Sequence, residues 1–188
     1  MKKKVLLTGI SGYIANHCAV ELLKNGYAVR GSLRNMSKSE EVIKAIKNEV
    51  DLIDDLEFCK LDLLDDKGWD EAMNGCEYVL HVASPYITTE PKDPNTLIRP
   101  AIEGTQRALK AAKKAGVKRI VITSSVVSML GDADKSININ ENTWSNVDAR
   151  NLSSYAKSKT LAEKSAWEFI KSQEDPKLEL TVINPGPV

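Results

Sequence analysis

An excess of one charge sign, a long apolar run, paired cysteines and internal repeats are all missing from this sequence. Lys and Arg together number 26, as do Asp and Glu, so the formal net charge is zero. That balance excludes the broad basic field of a nucleic-acid binder, and no acidic tail is present. No apolar run approaches the roughly 20 residues of a membrane-spanning helix. The start, MKKKVLLTG, has a basic tip but an apolar stretch of only three residues, short of the about 7–15 that a secretory signal needs. The three cysteines, Cys18, Cys59 and Cys76, are an odd number without metal-ligand spacing. Free thiols in a reducing compartment, a cytoplasmic location and no bound metal are the expectations. What is present is an ordinary composition, 42% hydrophobic and 28% charged over 188 residues, enough for one domain with a sizeable core.

Short β-type runs alternate with longer helical patterns. KVLLT (Lys4–Thr8) is a compact apolar strand. Ile14, Cys18, Leu22 and Leu23 then recur at helical spacing up to a stop at Gly26. Further strands are expected at Tyr27–Arg34, within LEFCKLD, at Glu77–Ala83, Lys118–Ser125 and Leu178–Pro185. Helices are expected near Ser39–Val50 and Lys67–Asn74, in a long stretch ending near Ala115, and from Ser153 onward. Pro100 either opens the long helix at its first turn or kinks it. A polar loop is expected from Gly131 to Leu152. This alternation implies an α/β fold, a doubly wound parallel sheet of about six strands.

TGISGYIA (Thr8–Ala15) joins the first strand to the first helix. Gly9 and Gly12 bracket a tight turn where a backbone free of Cβ atoms can approach a pyrophosphate. The helix start beyond aims N–H groups and a positive dipole end at it. Ala15 is small enough for close helix–strand packing. Thr8, Gly9, Gly12, Tyr13 and Ile14 are therefore candidate cofactor-binding residues. At the end of the second strand the sequence reads GSLRN, with no acid until Glu40. An NAD site usually has an acid there. Arg34 instead offers a fork suited to a 2′-phosphate, which favours NADP(H), unless Arg34 is simply solvated. Asp62 is placed either to accept an adenine amino proton or to cap a helix.

SSYAKSKTLAEKSAW contains two residues of special interest. At about 100° per residue, Tyr155, Lys159, Ala162, Ala166 and Phe169 lie within about 40° of one line. Lys157, Lys164 and Lys171 fall on the opposite side. Lys159 thus points inward beside a phenol, either snorkelling past a packed ring or tuning it. Ser124 and Ser125 end the fifth strand, at the sheet edge where ligands bind in such folds. A serine, a tyrosine and a lysine meeting there form an acid–base set: an ammonium lowers the phenol's pKa, and the hydroxyl orients a carbonyl. Hydride transfer from a nicotinamide needs such a proton donor and no metal.

TGxxGxxA together with YxxxK resembles the extended short-chain dehydrogenase/reductase superfamily. HVASPY, KDPNTLIRPAIEGT, RIVITSS, ENTWSN, SYAKSKTLAEKSAWEF and VINPGPV look more closely like its dihydroflavonol-reductase-like branch, over nearly the whole chain. The resemblance implies a Rossmann-like fold and an NADPH-dependent reductase acting on a small-molecule carbonyl. By the same resemblance Tyr155 is the proton donor. Lys159 binds the nicotinamide ribose and lowers the tyrosine's pKa, and Ser125 orients the substrate. Arg34 meets the 2′-phosphate, Asp62 and Leu63 line the adenine, Val82, Ala83 and Ser84 pass beneath the cofactor, and Pro185 borders the nicotinamide. Members of the branch continue past the NPGPV segment into a substrate-binding region. Residues 1–188 are therefore expected to be an NADP-binding domain carrying the catalytic set, with the C-terminal substrate region absent. Leu130 stands where flavonoid-reducing members carry Asn or Asp, which favours an aldehyde or ketone over a dihydroflavonol.

Two other functions fit part of the pattern: an NAD-dependent sugar-nucleotide epimerase or dehydratase, and a dinucleotide-binding module without turnover. His81 reads as a satisfied core histidine. The three tryptophans read as packing, with Trp144 also a candidate for the substrate side. A homodimer through the helices flanking the catalytic set is compatible with the sequence but not required by it.

Overall fold

The computed structural model describes residues 2–51, 53–130 and 138–187. Six parallel strands form one sheet: β1 (Lys4–Thr8), β2 (Ala28–Leu33), β3 (Leu56–Lys60), β4 (Tyr78–His81), β5 (Arg119–Thr123) and β6 (Glu179–Ile183). Their spatial order is β3-β2-β1-β4-β5-β6, the order of a doubly wound dinucleotide fold. The helices are α1 (Tyr13–Lys24), α2 (Ser39–Lys47), α3 (Trp69–Met73), α4 (Asn95–Lys114), α5 (Val127–Leu130) and α6 (Ser154–Lys171).

Successive residues of a strand face opposite sides of the sheet, and β1 uses this to build two cores. Leu7 packs with Val29, Ala15, Ala19, Val42 and Ile46 on the α1–α2 side. Leu6 packs with Val79, Ile120, Met73, Leu109 and Ala166 on the α3–α4–α6 side. The strand order reverses between β1 and β4. Their carboxyl ends therefore open the crevice in which the candidate residues gather.

Several boundaries differ from the expectation. β2, β4 and β5 end at Leu33, His81 and Thr123, one or two residues before the expected ends. α2 ends at Lys47 rather than Val50. Pro100 lies inside α4, well past its first turn. It does not open the helix. It removes one backbone donor from a helix that begins instead at Asn95, behind an N-cap at Pro94, where Asp93 accepts from the Asn95 amide at 3.0 Å. α5 is a short element with no expected counterpart. Residues 131–137 of the expected polar loop lie outside the described residues. Among the described residues no helix is long and apolar enough to cross a membrane, and no group of three or more His, Cys, Asp and Glu is placed to hold a metal.

Candidate functional site

The glycine loop is a backbone construction. Gly9 has φ +71°, a conformation that favours glycine. A Cβ there would meet Ala83 Cα and Cβ, both at 3.0 Å. Gly12 closes the turn by donating to the Gly9 carbonyl at 2.8 Å. It also stands at the N-cap of α1, where no side chain caps the helix. The first amides of α1 are thus left to the crevice, as an anionic group requires. Tyr13 is exposed over this turn, with its ring edge on His17 at 4.8 Å between centroids, and Ile14 follows it. A pyrophosphate fits this cradle on three counts: a positive-φ glycine, no Cβ on the approach, and an uncapped helix start.

Thr8 has a different position. It is buried, and its Oγ1 accepts from the Val82 and Ala83 amides at 3.0 Å each. Its remaining proton must then go to His81 Nδ1, 3.0 Å away. Thr8 therefore braces the turn after β4 with its side chain and does not face the crevice. His81 is the satisfied core histidine expected, and burial pushes its pKa down to about 3, so the ring is neutral. Ser84 continues the same turn and lines a cavity of about 10 Å³ with Ala83, Ser124 and Lys159.

Arg34 is exposed just beyond β2 and forms no ion pair among the described residues. Asp62 is not a helix cap. Its Oδ1 accepts from the Leu64 amide at 2.9 Å in a local turn, and α3 begins later, behind Gly68. Leu63 is wedged against Gly104 of α4, where a Cβ would come within 2.5 Å of Leu63 Cδ2. Lys38 was missed. It is exposed, precedes α2, and lines a cavity of about 240 Å³ with Ser11, Gly12, Tyr13 and Glu41. The signal was available: it is the next cation after Arg34.

On the other side of the crevice, β5 and α6 bring together Ser125, Tyr155 and Lys159. α6 starts at a serine cap, Ser153 Oγ accepting from the Ala156 amide at 3.1 Å. Glu90, from the loop after β4, accepts from the Ser154 amide at 3.0 Å. That loop also sets Tyr86 edge-on to Tyr155, 5.3 Å between centroids. Lys159 does not snorkel. It is 7% exposed, and its Nζ donates to the Thr123 carbonyl at 3.1 Å. Burial drives its pKa down to about 8, against the opposing pull of Glu163. The Lys159 ammonium sits 5.9 Å from the Tyr155 ring centroid.

The phenol departs from expectation. Burial raises the Tyr155 pKa above its ordinary value; the Ser125 hydroxyl opposes this only partly, and Tyr86 adds to the rise. Lys159, whose ammonium is bonded to the Thr123 carbonyl, is not among the groups that shift it. Ser125 is buried, and its Oγ is 3.4 Å from the Val127 amide. Ser124 beside it has a buried hydroxyl oxygen without a hydrogen-bond partner among the described residues. The Pro185 carbonyl accepts from the Val126 amide at 2.9 Å, which fixes the segment after β6 beside Ser125. Trp144 stands beneath the Lys164 ammonium, 5.3 Å from Nζ to ring centroid, on the face of α6 away from Tyr155. Leu130 ends α5 and is 39% exposed.

The model of the NAD dependent epimerase/dehydratase family matches residues 5–186. The chain belongs to that family. Among curated members it is 35% identical over 98% of its length to tetraketide alpha-pyrone reductase 1 of Arabidopsis thaliana, covering 57% of that protein. It is 34% identical over 96% of its length to the NADPH-dependent methylglyoxal reductase of Saccharomyces cerevisiae, again covering 57%. The yeast methylglyoxal/isovaleraldehyde reductase complexed with NADPH superposes with a TM-score of 0.84 at 31% identity, over 97% of this chain and 57% of that one. The chain thus spans somewhat over half the length of these epimerase/dehydratase-family relatives.

Proposed function

We propose that residues 1–188 form the dinucleotide-binding and acid–base half of an NADPH-dependent carbonyl reductase that converts an aldehyde or ketone to an alcohol. The observation that carries the reading is the meeting of Ser125, Tyr155 and the buried Lys159 across the crevice from an uncapped, glycine-lined helix start. The NADPH-dependent relative and the NADPH-bound neighbour support the choice of cofactor, and so does Arg34, exposed and without an acidic partner among the described residues. A reducing compartment such as the cytoplasm agrees with three free cysteines, of which Cys59 is pushed up to about 11 by burial.

In this reading Gly9, Gly12, Tyr13 and Ile14 would hold the pyrophosphate. Arg34 and Lys38 would hold the 2′-phosphate, Asp62 and Leu63 would flank the adenine, and Val82, Ala83, Ser84 and Pro185 would enclose the nicotinamide end. When bound, the reduced nicotinamide supplies a hydride to the carbonyl carbon. Tyr155 carries its proton at neutral pH, as an ordinary phenol does, and it gives that proton to the carbonyl oxygen. Ser125 donates a hydrogen bond to the same oxygen and shares its developing charge. Lys159 holds a positive charge beside the phenolate that results.

Tyr155→Phe in the full-length enzyme removes the proton donor and leaves the cradle intact. Turnover is expected to fall about 10²–10⁴-fold, with NADPH affinity by fluorescence titration nearly unchanged. Wild-type turnover in that variant would overturn the mechanism.

A further inference from the structure

Behind the acid–base set lies a buried carboxylate that the proposed reaction leaves unused. Glu163 is 7% exposed, as is Lys159. A carboxylate persists in an interior when it is hydrogen-bonded and faces an opposite charge. Glu163 Oε2 accepts from Ser128 Oγ and from Asn184 Nδ2, both at 2.8 Å. The two protons of Asn184 Nδ2 are shared as well with Ser128 Oγ at 2.9 Å and the Ser125 carbonyl at 3.3 Å. One oxygen thereby joins α6 to α5 and to the segment after β6. The next residue along, Pro185, is the one whose carbonyl receives the Val126 amide.

Glu163 also stands one helical turn after Lys159 on α6, where side chains four apart are neighbours. Both line the same small cavity, with His81, Thr105 and Ser124. The titratable groups that face Lys159 can be taken element by element. β4 offers His81, which is neutral. β5 and α4 offer only the hydroxyls of Thr123, Ser124 and Thr105. α6 offers Tyr155, with Tyr86 behind it, and Glu163. Among the described residues Glu163 is the one carboxylate lining this cavity.

We infer that Glu163 is a positioning residue with two separable roles: it is the counter-charge that keeps Lys159 protonated, and it is the clamp that docks the 184–185 segment beside Ser125. The inference rests on the reading of Lys159 and Ser125 as functional groups, but its test needs no cofactor and no turnover. Glu163→Gln keeps an oxygen for Ser128 and Asn184 and removes the charge. Asn184→Ala keeps the charge and removes the clamp.

The test is an NMR titration of the chain labelled with ¹³C,¹⁵N-lysine, with the Lys159 signal assigned by its loss in Lys159→Arg. Lys159 is expected to titrate at about 8 in the wild type and at least about one unit lower in Glu163→Gln. Amide exchange at Val126 is expected to rise about tenfold or more in Asn184→Ala as its bond to Pro185 opens. An unchanged Lys159 titration in folded Glu163→Gln overturns the counter-charge role, and unchanged Val126 exchange in Asn184→Ala overturns the clamp. Glu163→Asp guards against a Gln variant that fails to fold. It keeps the charge, so Lys159 should stay within about half a unit of wild type while Val126 exchange rises. A fall of a full unit there overturns the charge assignment. Loss of NADPH binding would sink the proposed function and leave both readouts intact.

Discussion

The two sides of the crevice are built from different materials. On the β1–α1 side the candidate contacts are backbone amides, made available by glycines and by an uncapped helix start. On the β5–α6 side they are side chains, held by a strand-end carbonyl or by one another: Lys159 by the Thr123 carbonyl, Glu163 by Ser128 and Asn184. The first side tolerates any side chain that points away from the turn, yet admits no Cβ at Gly9. On the second, each buried polar group is costly to hold in place. A cradle made of main chain is already settled once the chain has turned. A set made of side chains must hold charge in the core against the cost of desolvation.

That contrast can be broken first at Gly9. Gly9→Ala combines a positive φ with a 3.0 Å approach to Ala83 and is expected to cost about 3 kcal/mol, read by urea denaturation, with dinucleotide binding lost as well. The contrasting result belongs to the other side. Lys159→Met combined with Glu163→Gln should raise stability at pH 7 by about 1–3 kcal/mol, because the folded state then buries neither the ammonium nor the carboxylate that faces it. The sign follows from the lowered pKa. Lys159 titrates at about 8 when folded and near 10.4 when unfolded. The unfolded chain therefore binds more protons between those values, so wild-type stability rises with pH across that window. The double variant should lose this rise, and thermal melts at pH 7 and pH 10 would show it. A double variant less stable than wild type at pH 7 would mean that the Thr123 hydrogen bond outweighs desolvation. The smallest expected effect is at Arg34, where Arg34→Ser should reduce the preference for NADPH over NADH about tenfold. A smaller change would shift the 2′-phosphate assignment toward Lys38.

The sheet was legible in the sequence because its information is local. Each strand is a short apolar run and each helix carries its own spacing, so KVLLT and the α1 pattern declare themselves without knowledge of their neighbours. Gly9, Gly12, Tyr155 and Lys159 were legible for the same reason: each pair sits at fixed spacing within one loop or one helix. Glu163 was hidden although it lies one turn from Lys159, since a glutamate in an Ala- and Lys-rich helix ordinarily faces water. Its burial follows from Ser128 and Asn184, residues 35 and 21 positions away. The raised phenol of Tyr155 was hidden likewise, because the burial that raises it, and the Tyr86 ring beside it, arise only once the chain has packed.

Thr8 and His81 carry one more consequence. The hydroxyl of Thr8 is a rigid three-way joint at the centre of the sheet, and the ring it meets cannot take up a second proton until the solution is near pH 3. The floor of the crevice is thus electrically silent across the whole physiological range. Acidification of the surroundings leaves the field at Lys159 and Tyr155 untouched from below, so any pH response of this site must originate in its walls.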